Sequence, residues 1–252
     1  MNTTLLVFAA GLAAGAMNAA AGGGSFVSVP ALIYAGIPSV SANMSSTIAL
    51  YPGSLTSAWA YRGRFQTIHE VPLKALFPAT LAGGFGGALL LLLTPSSAFD
   101  RMIPWLLLLG SIAFAFGPKL GSKLRNFYRP KATFLLLTQF LLGIYGGYFG
   151  GAVGIMMMAV WSVLGLRDIK AMNATKVVLV AAANTVAVFC FAAFGSVAWS
   201  KTLVMMLAAA AGGYLGARIA LRLRSSHIRI GISVVNFLIT AMFFYHELFK
   251  RL

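Results

Sequence analysis

Acidic residues are almost missing from this chain: four Asp and Glu stand against 19 Lys and Arg in 252 residues, for a formal charge of +15. Glu70, Asp100, Asp168 and Glu247 all fall in or near the polar stretches between apolar runs, so no apolar run carries a carboxylate at its centre. A cation pathway or a carboxylate proton relay through a membrane ordinarily needs one. Cysteine is nearly absent as well. The lone Cys190 lies inside an apolar run and reads as packing, and no disulfide framework, CxxC pair or cysteine metal cluster can be built from it. His69, His227 and His246 sit at loop or helix-end positions, which suit an interfacial role better than metal binding. With no clustered His, Cys or carboxylate there is no nucleophile or acid-base set, so the chain reads as no enzyme, and no cofactor is implied.

Charged residues of both signs make up 9% of the chain, against roughly 25% in an ordinary soluble domain. Hydrophobic residues make up 60%. The composition is that of an all-α polytopic membrane protein, with room for eight to ten membrane segments of about 20 residues and no domain outside the bilayer. In a soluble protein the positive charge would suggest nucleic acid. Here the bases gather in short polar stretches, as positive-inside orientation and anionic headgroups require, so the expected partner is the lipid bilayer and not nucleic acid. The first run, Leu5 to Ala21, lacks a basic leader and reads as mature structure rather than a signal peptide.

That run ends in Asn18-Ala19-Ala20-Ala21-Gly22-Gly23-Gly24-Ser25. Each glycine costs about 1 kcal/mol relative to Ala inside a helix. A glycine run in an apolar segment frees backbone groups that lipid cannot satisfy, so it is tolerated only where buried in protein or lining a cavity. A short piece, Phe26 to Ala35, follows and can reach only about halfway across the hydrocarbon. Ala42 to Tyr61, Val71 to Leu93 and Ile103 to Phe116 are then expected spans, with basic loops at 62–70 and at Lys119, Lys123, Arg125, Arg129 and Lys131. The second half runs in the same order: Ala132 to Tyr148, a break at Gly146-Gly147-Tyr148-Phe149-Gly150-Gly151 with Gly154, and a short piece from Ile155 to Leu164. Spans from Ala171 to Phe194, Val197 to Ala220 and Ile230 to Tyr245 complete it.

Spacing supports a duplication. Gly83-Gly84-Phe85-Gly86-Gly87-Ala88 lies 129 positions before Gly212-Gly213-Tyr214-Leu215-Gly216-Ala217, as Ala42 does before Ala171, while Gly11 and Gly15 lie 132 before Gly143 and Gly147. Orientation then inverts the copies. The basic loop at 62–70 should be cytoplasmic and its counterpart at 195–201 external, whereas the neutral turn at 94–101 should be external and its four-arginine counterpart at 218–229 cytoplasmic. The expected architecture is two inverted transmembrane repeats, residues 1–122 and 123–252, each with three full helices and a glycine-broken hairpin. This topology puts the C-terminus outside, although Lys250 and Arg251 sit there.

Inverted repeats with a broken segment in each half point to a transporter, the breaks meeting near the midplane. Helix N-termini at such breaks offer free N–H groups and a positive dipole end, which suit an anion. Ser25, Ser45, Ser46, Thr47 and Thr175 add hydroxyl donors, and Asn18, Asn43 and Asn173 amide donors. Each hydroxyl also has a plain alternative in a bond to its own i−4 carbonyl. Lys176, about a turn and a half beyond Lys170, stands roughly 9 Å inside the membrane if the boundary is at Lys170. It either snorkels to the headgroups or anchors an anion.

Gly15-x-x-Asn18 with Gly22-Gly23-Gly24-Ser25, then Ala42-Asn43-x-x-Ser46-Thr47, and in the second half Gly147-x-x-Gly150-Gly151-x-x-Gly154 with Ala171-x-Asn173-Ala174-Thr175-Lys176, resemble the TauE/SafE sulfite exporter family over nearly the whole chain. The resemblance implies a multi-pass permease of the bacterial inner membrane that moves a small anion such as sulfite, sulfoacetate or another sulfonate. It also implies a substrate site at Asn18, Gly22 to Ser25, Ser46, Thr47, Thr175 and Lys176, with Gly150 standing where a second Asn18 would be. The expected mechanism is alternating access, one repeat rocking against the other; an anion channel or facilitated-diffusion pathway for small oxyanions or carboxylates is the alternative. Oligomeric state is not legible.

Overall fold

A computed structural model describes residues 2–20, 23–60, 73–124, 132–163, 169–222 and 225–249. Among these, regular structure is entirely helical, in ten helices: α1 (Thr3–Ala20), α2 (Ser25–Tyr34), α3 (Ser39–Ala60), α4 (Leu73–Leu93), α5 (Ser96–Leu124), α6 (Ala132–Tyr148), α7 (Val153–Val163), α8 (Ile169–Phe194), α9 (Trp199–Arg222) and α10 (Ser225–Phe249). The expected loop at 62–70, Gly22, Arg125, Arg129, Lys131, Arg167, Asp168, Arg224, Lys250 and Arg251, and the side chain of Asn173, lie outside the described residues.

Both glycine breaks do interrupt helices, and the pieces after them are short, 10 residues in α2 and 11 in α7. At 1.5 Å per residue, each reaches roughly half the hydrocarbon thickness. Elsewhere the helices overrun the apolar runs. α5 begins at Ser96, takes in Asp100 and Arg101, and continues through Lys119 and Lys123, which were expected in a loop. Likewise Arg218 and Arg222 belong to α9 and Arg229 to α10. Hydropathy marks where a membrane would end, whereas Lys and Arg are good helix formers and let the backbone carry on past that limit.

Among the described residues, three helical stretches are long and apolar enough to cross a membrane by length and composition, Lys74–Leu93, Ser96–Gly117 and Thr175–Phe194. Large apolar side chains face outward, among them Trp105 at 65% exposure, Leu207 at 73% and Leu238 at 66%. Water would penalise such a surface; lipid tails accept it. The largest buried cluster lies inside, where Phe26 of α2, Met44 of α3, Phe99 and Leu107 of α5, Phe149 just after α6 and Phe191 of α8 pack together.

Two glycine seams hold the bundle. Gly11 and Gly15 of α1 press on Met205, Ala208 and Ala209 of α9, and Gly212 and Gly216 of α9 press on Leu12 and Ala16 of α1. The same arrangement joins α4 and α6: Gly83 and Gly87 lie on Phe140 and Ile144, Gly143 on Thr80 and Gly147 on Gly84. In both seams a methyl on the second glycine of α1 or α6 (Gly15, Gly147) would run into a backbone carbonyl of the partner helix. Small residues here let backbones approach closely, the usual basis of helix association in lipid. Each seam joins a helix from the first half of the chain to one from the second. Between α5 and α10, Ser111 and Thr240 share a hydrogen bond of 3.2 Å although 129 positions separate them.

Candidate functional site

The two breaks meet in the interior. Gly23 turns the chain with φ +98° and Gly150 with φ +77°, values that ordinary side chains rarely adopt. A methyl at Gly150 would sit 3.9 Å from Ser25 Oγ. Immediately beside them the rings of Phe26 and Phe149 pack edge to face with centroids 6.3 Å apart, and Tyr145 stacks on Phe149 in the same manner at 6.1 Å.

Each break opens a helix. At α2, Phe26 N–H donates to the Gly23 carbonyl and the N–H groups of Val27 and Ser28 to that of Gly24. Among the described residues no carbonyl accepts from the N–H groups of Gly23, Gly24 or Ser25. At α7, Ile155 and Met156 both donate to the Ala152 carbonyl, and the N–H groups of Gly151 to Gly154 are left in the same position. The broken pairs thus present two short rows of backbone donors at the positive ends of two helices.

The hydroxyls divide between structure and site. Ser28 Oγ donates to the Gly24 carbonyl at 3.1 Å, and because a carbonyl only accepts, Ser46 is the donor in the Ser46–Ser28 hydroxyl bond. Thr47 gives its proton to the Asn43 carbonyl at 3.0 Å. Ser45 accepts from Ala198 N–H at 3.0 Å, tying α3 to the turn before α9. Thr175 is buried on α8, on the same stripe as Met172 and Leu179. Asn43 reaches across the chain's midpoint: its Nδ2 donates to the Tyr148 carbonyl at 2.8 Å, satisfying one of the free carbonyls where α6 ends. Asn18 is half-buried, and its Cβ sits 3.2 Å from where a methyl on Gly24 would be.

Lys176 does not lie apart from this region. Its methylenes cross Gly154 in the first turn of α7, with Cδ 2.8 Å and Cε 3.4 Å from the position a Cβ there would take. The ammonium is one bond further on, so a cation is held at the positive end of a helix.

Reading the sequence did not single out Phe26, Phe149, Ser28 or the carbonyl of Tyr148. An aromatic residue adjoining both glycine breaks, and a serine one helical turn beyond Gly24, were the available signals.

An outward apolar surface around inward-facing broken helices defines an integral membrane protein. The family model for the sulfite exporter TauE/SafE matches residues 7–243. The chain belongs to this family. It is similar to a probable membrane transporter protein of Haemophilus influenzae, with 30% identity over 96% of this chain and 94% of that one. It also resembles the probable membrane transporter proteins ORF9 of Sinorhizobium sp, 30% identical over 85% of this chain and 82% of that one, and YfcA of Escherichia coli K12, 28% identical over 95% and 89%. No solved structure matches.

Proposed function

We propose that this membrane transporter moves a small anion, sulfite or an organosulfonate, across the cell's inner membrane, and that the anion is held where the two breaks meet. The observation that carries the reading is Lys176 laid over the first turn of α7. A cation at the positive end of a helix is unfavourable unless an anion lies against both. The N–H groups at 23–25 and 151–154, from which no carbonyl among the described residues accepts, supply the remaining donors, and Asn18, Gly22, Ser46, Thr47, Asn173 and Thr175 are the other candidates for the site.

The halves 1–122 and 123–252 act as inverted repeats in this reading. Two features support it: the α1–α9 and α4–α6 seams use glycines that correspond at the repeat spacing, and Ser111 bonds to the residue 129 positions on. A residue touching its own counterpart marks where a two-fold axis would pass. Because each seam ties helices of opposite halves, the bodies that rock in alternating access are these cross-half pairs rather than the two halves of the sequence.

The test is flux into proteoliposomes from a panel of sulfite, sulfonates, sulfate and small carboxylates, with Lys176→Gln as the variant. Loss of a charge-assisted contact should lower anion flux roughly tenfold or more. Unchanged uptake across pH would remove Lys176 from the site. Counterflow by the unmodified protein distinguishes a carrier from a channel, which would use the same donors.

A further inference from the structure

Asn43 is enclosed on α3, one turn before Ser46 and Thr47. Its nitrogen is committed to the Tyr148 carbonyl, which fixes the orientation of the amide, since a carbonyl cannot donate. The other end, Oδ1, is sealed from solvent and has no donor among the described residues. The hydroxyls around it cannot supply one: Thr47 gives its proton to the Asn43 carbonyl, Ser46 gives its proton to Ser28, and Ser28 gives its own to Gly24. A buried acceptor left in this state is costly, and such atoms in a folded protein ask for an explanation.

The rest of the junction has the opposite appetite. Rows of N–H groups and a lysine call for acceptors on the ligand, whereas Asn43 Oδ1 calls for a donor. A fully deprotonated oxyanion would satisfy the first and set lone pair against lone pair at the second. A small monoanion carrying an O–H satisfies both.

We propose that Asn43 is a specificity-determining residue whose Oδ1, enclosed in this conformation, is uncovered as the bundle opens in alternating access and accepts from an O–H on the transported anion, so that the cargo is a hydroxyalkanesulfonate or a similar hydroxylated monoanion rather than a bare oxyanion. The assignment rests on the anion reading above. It also gives Asn43 a second role beside capping α6, and the two roles are separable because they use different atoms of one amide.

The full chain in proteoliposomes is offered methanesulfonate and hydroxymethanesulfonate, which carry the same charge and differ by one hydroxyl. A site built to pair with a hydroxyl rejects the analogue lacking it, so the unmodified protein should move the hydroxylated anion at least about tenfold faster. Asn43→Ala should bring that ratio close to one. Equal rates for the two anions in the unmodified protein overturn the assignment and leave the anion reading standing, and this measurement does not depend on the variant folding. A variant in which both rates fall while their ratio persists also overturns it, since that is the signature of the α6 cap alone. Absence of flux for either anion, and for every member of the wider panel, overturns both readings.

Discussion

The two glycine breaks perform the same backbone task with different surroundings. In the first, Gly24 is wedged against the Ala14 carbonyl of α1, and Ser46, Ser28 and the Gly24 carbonyl form a closed chain of hydrogen bonds. In the second, Gly154 is covered by the flexible methylenes of Lys176, and Ala152 stands at φ +58° without the freedom of glycine. The Ser46 and Ser28 hydroxyls at the first break are spent within the protein itself. The second break carries the cation and the strained residue, so the same fold element serves as a rigid wall on one side and an adaptable, charged wall on the other.

One substitution made in both places gives the largest contrast. Gly24→Ala drives a methyl into backbone that cannot move aside and should cost about 1–3 kcal/mol, read as a lower thermal midpoint in detergent. Gly154→Ala meets only the far part of a lysine chain, so stability should stay within about 0.5 kcal/mol while anion flux falls severalfold as Lys176 is displaced. Equal destabilisation at both positions would erase the distinction.

Ser46→Ala should have a smaller effect. It removes a hydroxyl bond but leaves Ser28 paired with the Gly24 carbonyl, for a loss of about 1 kcal/mol in thermal unfolding. A loss of transport with no change in stability would instead move Ser46 from the wall to the ligand. Smallest is Ala152→Gly. Relieving a left-handed Ala returns about 1–2 kcal/mol, and the added chain entropy of Gly takes back about 0.5–1 kcal/mol, so the net change should be a slight stabilisation. A lower midpoint would show that the methyl of Ala152 contributes packing that outweighs its strain.

Which parts of this protein could be read in advance follows from how local each signal is. Both breaks were legible because three adjacent glycines, or a cluster such as Gly146 to Gly151, have no place in a helix buried in lipid. The short reach of α2 and α7 was legible from the length of the apolar run alone. The ends of α5, α9 and α10 were not, since hydropathy changes at the membrane boundary and helical hydrogen bonding does not. Site chemistry divided in the same manner. Lys176 stood out as a charge within an apolar stretch, but nothing in its neighbourhood along the chain pointed to Gly154, 22 positions earlier.

By itself the sequence determined the class: a helical membrane protein short of acids and broken twice by glycine, with hydroxyl and amide side chains near the breaks. Those properties are set by composition and by neighbours within a turn or two. Tertiary structure decided which groups remain available for a ligand. Whether a hydroxyl or amide is spent depends on partners brought from far along the chain, and only the packing of α3 against the end of α6 shows that Asn43, met in the sequence as a donor, has its acceptor left over.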